Sequence, residues 1–291
     1  MDRTSHSLPN DQTESDNLGL VVALAACFGG NSGVQWAHEP CSRTSAETVN
    51  TGAAKAPSGS RIPAPHYRWL LFDADGTLFD YDGAERVALG QALGQIGVSF
   101  DPGFLATYRL INQTLWQGVE KGELTPGVVK VRRFELWLEA IQVAYSPAAF
   151  SASYLECLAN CSELLEDAAK VLGALSRKYR IAILTNGLKE VQRGRLARSV
   201  IRHHISDIII SEEVGFAKPA KEYFETAFAR LGHPSKHEVL MIGDSWTSDI
   251  QGAVQYGIDA CWYNPGRKPR PANYEITREI ASLRELNDWL G

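Results

Sequence analysis

The sequence predicts an α/β protein: a parallel β-sheet with helices on both faces and a helical domain inserted into it. Three observations lead there. Short apolar runs recur from Tyr67 onward, each followed by a polar or glycine-containing turn. Helical patterns lie between the later runs. A long stretch between the first and second runs carries helical spacing and no strand-like alternation.

The front of the chain has a different character. Residues 1–65 are rich in Ser, Thr, Gly, Ala, Asn and Pro and sustain no helix or strand period. They read as a disordered extension or an over-long start. One apolar island, Leu18–Phe28, has the length of a signal-peptide core. Asp11, Glu14 and Asp16 precede it with a single Arg3, whereas a secretory leader is basic.

From Tyr67 the elements follow in order. Trp69–Phe72 ends at Asp73 and suits a buried parallel strand. The insertion, about 84–165, carries apolar residues at helical spacing, as in Phe134, Leu136, Trp137, Leu138 and Ile141. Further strand-like runs are Ile181–Leu184, Asp207–Ile210, Val239–Ile242 and Ala260–Tyr263. Helices are expected at about 188–200, 219–231 and 247–256. The core thus comprises 66–83 and 166–291, interrupted by a helical domain at 84–165.

Composition narrows the function. The 29 basic and 34 acidic side chains leave a net charge of −5, so there is no basic footprint for nucleic acid and no polybasic membrane patch. No apolar run reaches the length of a membrane helix. The five cysteines are irregularly spaced with no C-x-x-C pair, which fits a reducing, cytoplasmic compartment. Cys157 and Cys161, four apart, read as small core residues.

Four motifs sit where an α/β sheet binds ligands, at or beyond the carboxyl ends of strands. Asp73-Ala-Asp75-Gly-Thr-Leu78 brings two carboxylates off the first strand, and Gly76 allows a sharp turn. Thr185-Asn186-Gly187 can present donors to a phosphate. Lys218-Pro219 places a cation before a helix. Gly243-Asp244-Ser-Trp-Thr-Ser-Asp249 supplies two more acids, which could complete a magnesium site or simply end a strand and cap a helix.

Together and in this order, the motifs resemble the haloacid dehalogenase superfamily in its phosphatase branch, over about 67–291. The resemblance implies a sheet order of 3-2-1-4-5 and Mg²⁺ as cofactor. Asp73 would be the nucleophile, and Asp75 the acid and then the base. Asp73, the Asp75 backbone carbonyl and Asp244 would hold the metal, with Asp249 steadying its ligands. Thr185, Asn186 and Lys218 would hold the phosphoryl oxygens. The charges make sense of this division. A carboxylate and a phosphate about 4 Å apart repel by roughly 4 kcal/mol at an effective dielectric near 20, and a metal and a lysine offset that. The dehalogenase branch lacks an acid at the position of Asp75, so phosphate chemistry is expected.

The insertion resembles the family's helical cap, which reads the leaving group. Several segments resemble the pyrimidine 5′-nucleotidases that clear non-canonical nucleotides: Phe72–Phe79, Ile111–Trp116, Arg133–Trp137, Ile210–Pro219, Gly243–Gly252 and Cys261–Asn264. The expected partner is a small phosphate ester, met by a monomer or homodimer. A sugar-phosphate or phosphoglycolate phosphatase and a non-catalytic binding protein are the rivals. Asn112 and Trp116 would face the site, or Trp116 would pack on Phe134 and Trp137. Arg133 would pair with Glu120 or Glu123, or with a substrate oxygen. The pattern departs at Glu163–Asp167, where relatives often have Leu-Pro-Gly before the core resumes.

Overall fold

The computed structural model describes residues 67–291 apart from 272 and 273. The extension 1–65 and its apolar island lie outside the described residues.

Six parallel strands form one sheet: β1 Trp69–Phe72, β2 Arg180–Thr185, β3 Asp207–Ile210, β4 Val239–Gly243, β5 Asp259–Tyr263 and β6 Arg278–Ile280. Their order is β3-β2-β1-β4-β5-β6. The expected order is present and is extended by β6, which has no counterpart among the predicted runs. β6 is three residues long, and only Ile280 is buried, so it offers no apolar period to detect.

The strands read as continuous apolar runs because both faces are covered. On one face Leu70, Phe72, Ile181, Ile183, Leu240 and Ile242 pack against Val171, Leu172, Leu286 and Leu290. On the other, Trp69, Leu71, Leu184, Val239 and Met241 pack against Tyr223, Phe224, Phe228 and Tyr256. Alternate residues of each strand therefore enter opposite cores.

The inserted domain is four helices: α1 Tyr81–Gln95, α2 Pro102–Glu120, α3 Pro126–Ala140 and α4 Pro147–Asn160. Asp101, Thr125 and Ser146 each accept a backbone N–H at a helix start and are each followed by proline. An N-cap then proline is a start signal written in sequence: the cap satisfies an orphan N–H, and proline has none to lose. Tyr108, Phe134, Trp137, Phe150 and Tyr154 interlock as the aromatic centre, with ring centroids 5.0–6.1 Å apart. Cys157 and Cys161 are buried and free.

The two linkers to this domain pair with each other. Asp80 N donates to Glu163 O at 3.1 Å and Leu165 N to Leu78 O at 2.9 Å. Asp167 follows, with φ of 64°. The departure from Leu-Pro-Gly is thus accommodated by an aspartate, which tolerates the left-handed region better than most residues. Arg284 bonds its carboxylate at 2.9 Å.

The remaining helices cover the sheet: α5 Ala168–Leu175, α6 Lys189–Arg198, α7 Ser211–Val214, α8 Lys221–Arg230, α9 Gly252–Tyr256 and α10 Arg284–Leu290. The helix expected over 247–256 is α9 preceded by a wide π-type turn, Trp246–Gln251. No described helix is long and apolar enough to cross a membrane.

Candidate active site

β1 carries Asp73 out at its carboxyl end, and the β1–β4 boundary is where the strand order reverses. The reversal opens a crevice that brings Asp73, Asp75, Thr185, Asn186, Lys218 and Asp244 to one cavity of about 260 Å³. Tyr81, Trp116, Glu120, Arg133 and Leu158 from the helical insertion form its other wall.

At the floor lies an acid–lysine cluster. Lys218 Nζ donates to Asp73 Oδ1 at 2.6 Å, to Asp249 Oδ1 at 2.7 Å and to the Leu184 carbonyl at 2.6 Å. Its ammonium is 1% exposed. Burial opposes that charge, but Asp249 and Asp73 outweigh it and hold the lysine pKa above its ordinary value. Asn186 builds this arrangement: its amide donates to the Lys218 carbonyl at 2.9 Å and accepts from Lys218 N at 2.8 Å. Both polar ends of the Asn186 side chain are therefore engaged with the Lys218 backbone. Thr185 Oγ1 accepts from Gly187 N at 3.0 Å, which leaves its hydroxyl proton available.

Asp249 owes its place to the π-type turn. Its N–H reaches the Ser245 carbonyl at 3.1 Å, and Asp249 Oδ2 accepts from Ser245 N at 3.0 Å. With Oδ1 on Lys218, both of its oxygens are engaged by the protein. Asp244 is held by Thr77, whose hydroxyl donates to Oδ1 at 3.1 Å. Gly76, at φ of 82°, passes so close that a Cβ there would sit 2.8 Å from Asp244 Oδ2.

Carboxylate oxygens of Asp73, Asp244 and Asp249 lie within 4.8 Å of one another. Lys218 engages only Oδ1 of Asp73, and Thr77 only Oδ1 of Asp244, so each keeps a second oxygen for a cation. Two hard oxygen donors beside a cavity suit Mg²⁺, which takes one or two carboxylates and completes its octahedron with water and phosphate oxygens. Burial, with Asp249 and Asp244 as like charges, raises the Asp73 pKa, while Lys218 pulls it down. Burial, then Asp249, pushes the Asp244 carboxyl up to about 6.

The sign of this linkage gives a test. An acid whose pKa is raised in the folded state stabilises the fold fully below its unfolded value of about 4 and loses that contribution as pH climbs through about 6. A cation that binds the ionised form counteracts the loss. Adding MgCl₂ is therefore expected to raise the melting temperature more at pH 8 than at pH 5. Equal shifts at both pH values would contradict the assignment.

Asp75 is held by a cation and an amide. Gln192 Nε2 donates to its Oδ2 at 2.6 Å, and Arg195 Nη1 bonds Oδ1. Arg195 is fully buried, lies over the Phe79 ring and donates through Nε to the Cys161 carbonyl at 2.8 Å. It thus ties Asp75 to the residue that ends α4. Sequence reasoning missed both partners. Gln192 and Arg195, three apart, share a face of α6, but nothing in a polar helix says which face meets the site.

In the helical wall Trp116 is half-buried and lines the cavity. Phe134 and Trp137 instead pack on Tyr108 and Phe150. Asn112 donates to Tyr81 OH at 3.3 Å. The expected Arg133 pairing with Glu120 or Glu123 is corrected. Glu120 accepts from Thr247 Oγ1 at 2.8 Å, a contact between insertion and core, and Arg133 meets Asn112. The helix α2 turns Glu120 toward the motif after β4, a direction that spacing alone does not specify.

The comparisons agree with this geometry. Residues 67–257 match the family model described as haloacid dehalogenase-like hydrolase. The HAD-hydrolase YfnB of Bacillus subtilis (strain 168) is 36% identical over 220 residues, covering 76% of this chain and 94% of that protein. Its crystal structure, bound to magnesium, covers 78% of this chain and 99% of that one with a TM-score of 0.72 at 35% identity. Two pyrimidine 5′-nucleotidases are each 34% identical over 225 residues. These are YjjG of Escherichia coli (strain K12), covering 76% of this chain and 97% of that one, and PynA of Streptococcus pneumoniae (strain ATCC BAA-255 / R6), covering 77% and 95%. With the fold, the four motifs around the cavity and the family model in agreement, the chain belongs to the haloacid dehalogenase-like hydrolases.

Proposed function

We propose that the chain is a magnesium-dependent phosphomonoester hydrolase acting on pyrimidine nucleoside 5′-monophosphates, non-canonical ones included, through an aspartyl-phosphate intermediate. The observation that carries this reading is the pair of carboxylates two residues apart. Asp73 sits against the Lys218 ammonium on the cavity floor, and Asp75 lines the same cavity under Arg195 and Gln192.

Asp73 attacks phosphorus while Asp75 gives a proton to the leaving ribose oxygen. Asp75, then ionised, takes a proton from the water that attacks the aspartyl phosphate, which frees phosphate and restores Asp73. The Thr185 hydroxyl bonds a phosphoryl oxygen, the Lys218 ammonium, whose three donors are taken by Asp73, Asp249 and Leu184, offsets the phosphoryl charge from beside Asp73, and the Asn186 side chain orients Lys218. Asp73, the Asp75 backbone carbonyl and Asp244 would hold Mg²⁺, and Asp249 fixes Lys218 and the turn around Asp244. When bound, the ion neutralises charge building on the phosphoryl oxygens.

Two pyrimidine 5′-nucleotidases among the relatives, and a half-buried Trp116 on the cavity wall, support the nucleotide part. Trp116 offers a flat surface for the base, and Asn112 holds polar groups of that wall in place. A panel of esters tests the reading. With MgCl₂, dUMP, UMP and dTMP are expected to be turned over with higher kcat/KM than phosphoglycolate or hexose phosphates, and chelation to abolish all turnover. A preference for the small acids or sugars would move the assignment to a sugar-phosphate or phosphoglycolate phosphatase. No turnover of any ester would leave a binding protein.

A further inference from the structure

Arg133 is 2% exposed on α3, within the helical wall of the cavity. Its guanidinium lies 4.9 Å from the Phe134 ring centroid and 5.0 Å from that of Tyr154. One hydrogen bond holds it, from Nη1 to Asn112 Oδ1 at 3.3 Å. Nε and Nη2 are buried with no partner. No ion pair joins it to a carboxylate among the described residues. The buried acid Glu85 is taken by Arg109 at 2.7 Å, and Glu120 by Thr247.

A buried guanidinium with two idle donors is strongly disfavoured unless a partner arrives. Nε and Nη2 form one edge of the planar fork, and that edge can only donate. What meets it must be an acceptor. The phosphate end of a substrate is directed elsewhere, to Thr185 at the end of β2 and the acid–lysine floor beside it. The part that reaches α3 is the leaving group. Around it the wall is aromatic and aliphatic, with Trp116, Tyr81, Leu158, Leu188 and Val191, which suits a flat ring.

We propose that Arg133 is a specificity residue that reads an exocyclic carbonyl oxygen of the pyrimidine ring. Nε and Nη2 both donate to that oxygen, Asn112 holds the fork, and Trp116 covers the ring. The inference rests on the pyrimidine nucleotidase reading, and its test separates the two.

The experiment compares kcat and KM for dUMP and for 2-deoxyribose 5-phosphate, which keeps the sugar phosphate and lacks the base. Wild type, Arg133→Met and Arg133→Lys are assayed with MgCl₂, and their melting temperatures are recorded. The expected result is a fall in the dUMP to deoxyribose 5-phosphate ratio of kcat/KM by roughly 10- to 100-fold in Arg133→Met. It comes mainly through KM, and Arg133→Lys recovers part of it. If either folded variant keeps the wild-type ratio, the inference is overturned and the nucleotidase reading stands. If both substrates lose equally in the folded Lys variant, Arg133 is a structural cation, and the inference is overturned again. If the wild type has no preference for dUMP, the nucleotidase reading falls, and the inference with it.

Discussion

Asp73→Asn is expected to abolish turnover of every phosphate ester while the protein stays folded. Asparagine fills the same volume but has no carboxylate to attack phosphorus. Loss of a nucleophile that works as part of a unit costs roughly 10⁴- to 10⁶-fold in kcat. Stability should hold, because two acids share a single buried ammonium here and Lys218 keeps its bond to Asp249. The measurement is kcat on the best ester of the panel, with circular dichroism and a melting curve as controls. Phosphatase activity within tenfold of wild type in a folded Asp73→Asn protein would remove Asp73 from the nucleophile's role.

Lys218→Met is expected to damage both activity and fold. The ammonium is the common partner of Asp73 and Asp249, at 2.6 and 2.7 Å. Methionine keeps much of the volume and none of the charge, so two buried carboxylates are left uncompensated. Breaking a buried pair by removing one partner costs about 3–5 kcal/mol. At about 2–4 °C per kcal/mol for a domain of this size, the metal-free protein should melt roughly 6–20 °C lower.

The pH dependence follows from the shifts. The lysine pKa is raised in the folded state, so its contribution is complete below its ordinary value and would fade only above its folded one. Across pH 5–8 any change in the penalty therefore comes from the acids. Asp244 is raised to about 6, so its protonation relieves the repulsion among the acids at pH 5, and the penalty should be larger at pH 8. Added Mg²⁺ should restore more stability to the variant than to the wild type. Turnover should fall by about 10²- to 10³-fold, the usual cost of losing one preorganised charge at a developing oxyanion. An unchanged melting temperature would mean that Lys218 is not the cation that this acid cluster needs.

Much of the cavity floor was legible in the sequence because local signals coincide there with strand ends. A buried strand declares itself by four consecutive apolar residues, and the residue after it must lie at the sheet's edge. Asp73 and Thr185 follow such runs directly and Asp244 follows after one glycine, so their convergence could be read before any coordinates. Lys218 was legible only through its place among the other three motifs.

The supporting residues were not legible. Gln192 and Arg195 are ordinary polar residues of α6, and their bond to Asp75 depends on how that helix packs. The π-type turn that seats Asp249 looks in sequence like the first turn of a regular helix. β6 is too short to show a period.

What the amino-acid sequence determined by itself is the order of elements, the parallel sheet and the acids placed at the carboxyl ends of its strands. Those rest on short-range facts: apolar runs, helical periods, turn residues and acids at fixed offsets. What only the tertiary structure decided is which side chains share a partner. It gave Lys218 to two carboxylates and Arg195 to Asp75, and it left Arg133 with no acid among the described residues. The reason is geometric. A buried charge takes its partner from whatever the packing brings within 3 Å, and residues more than a hundred positions apart have no period that announces it.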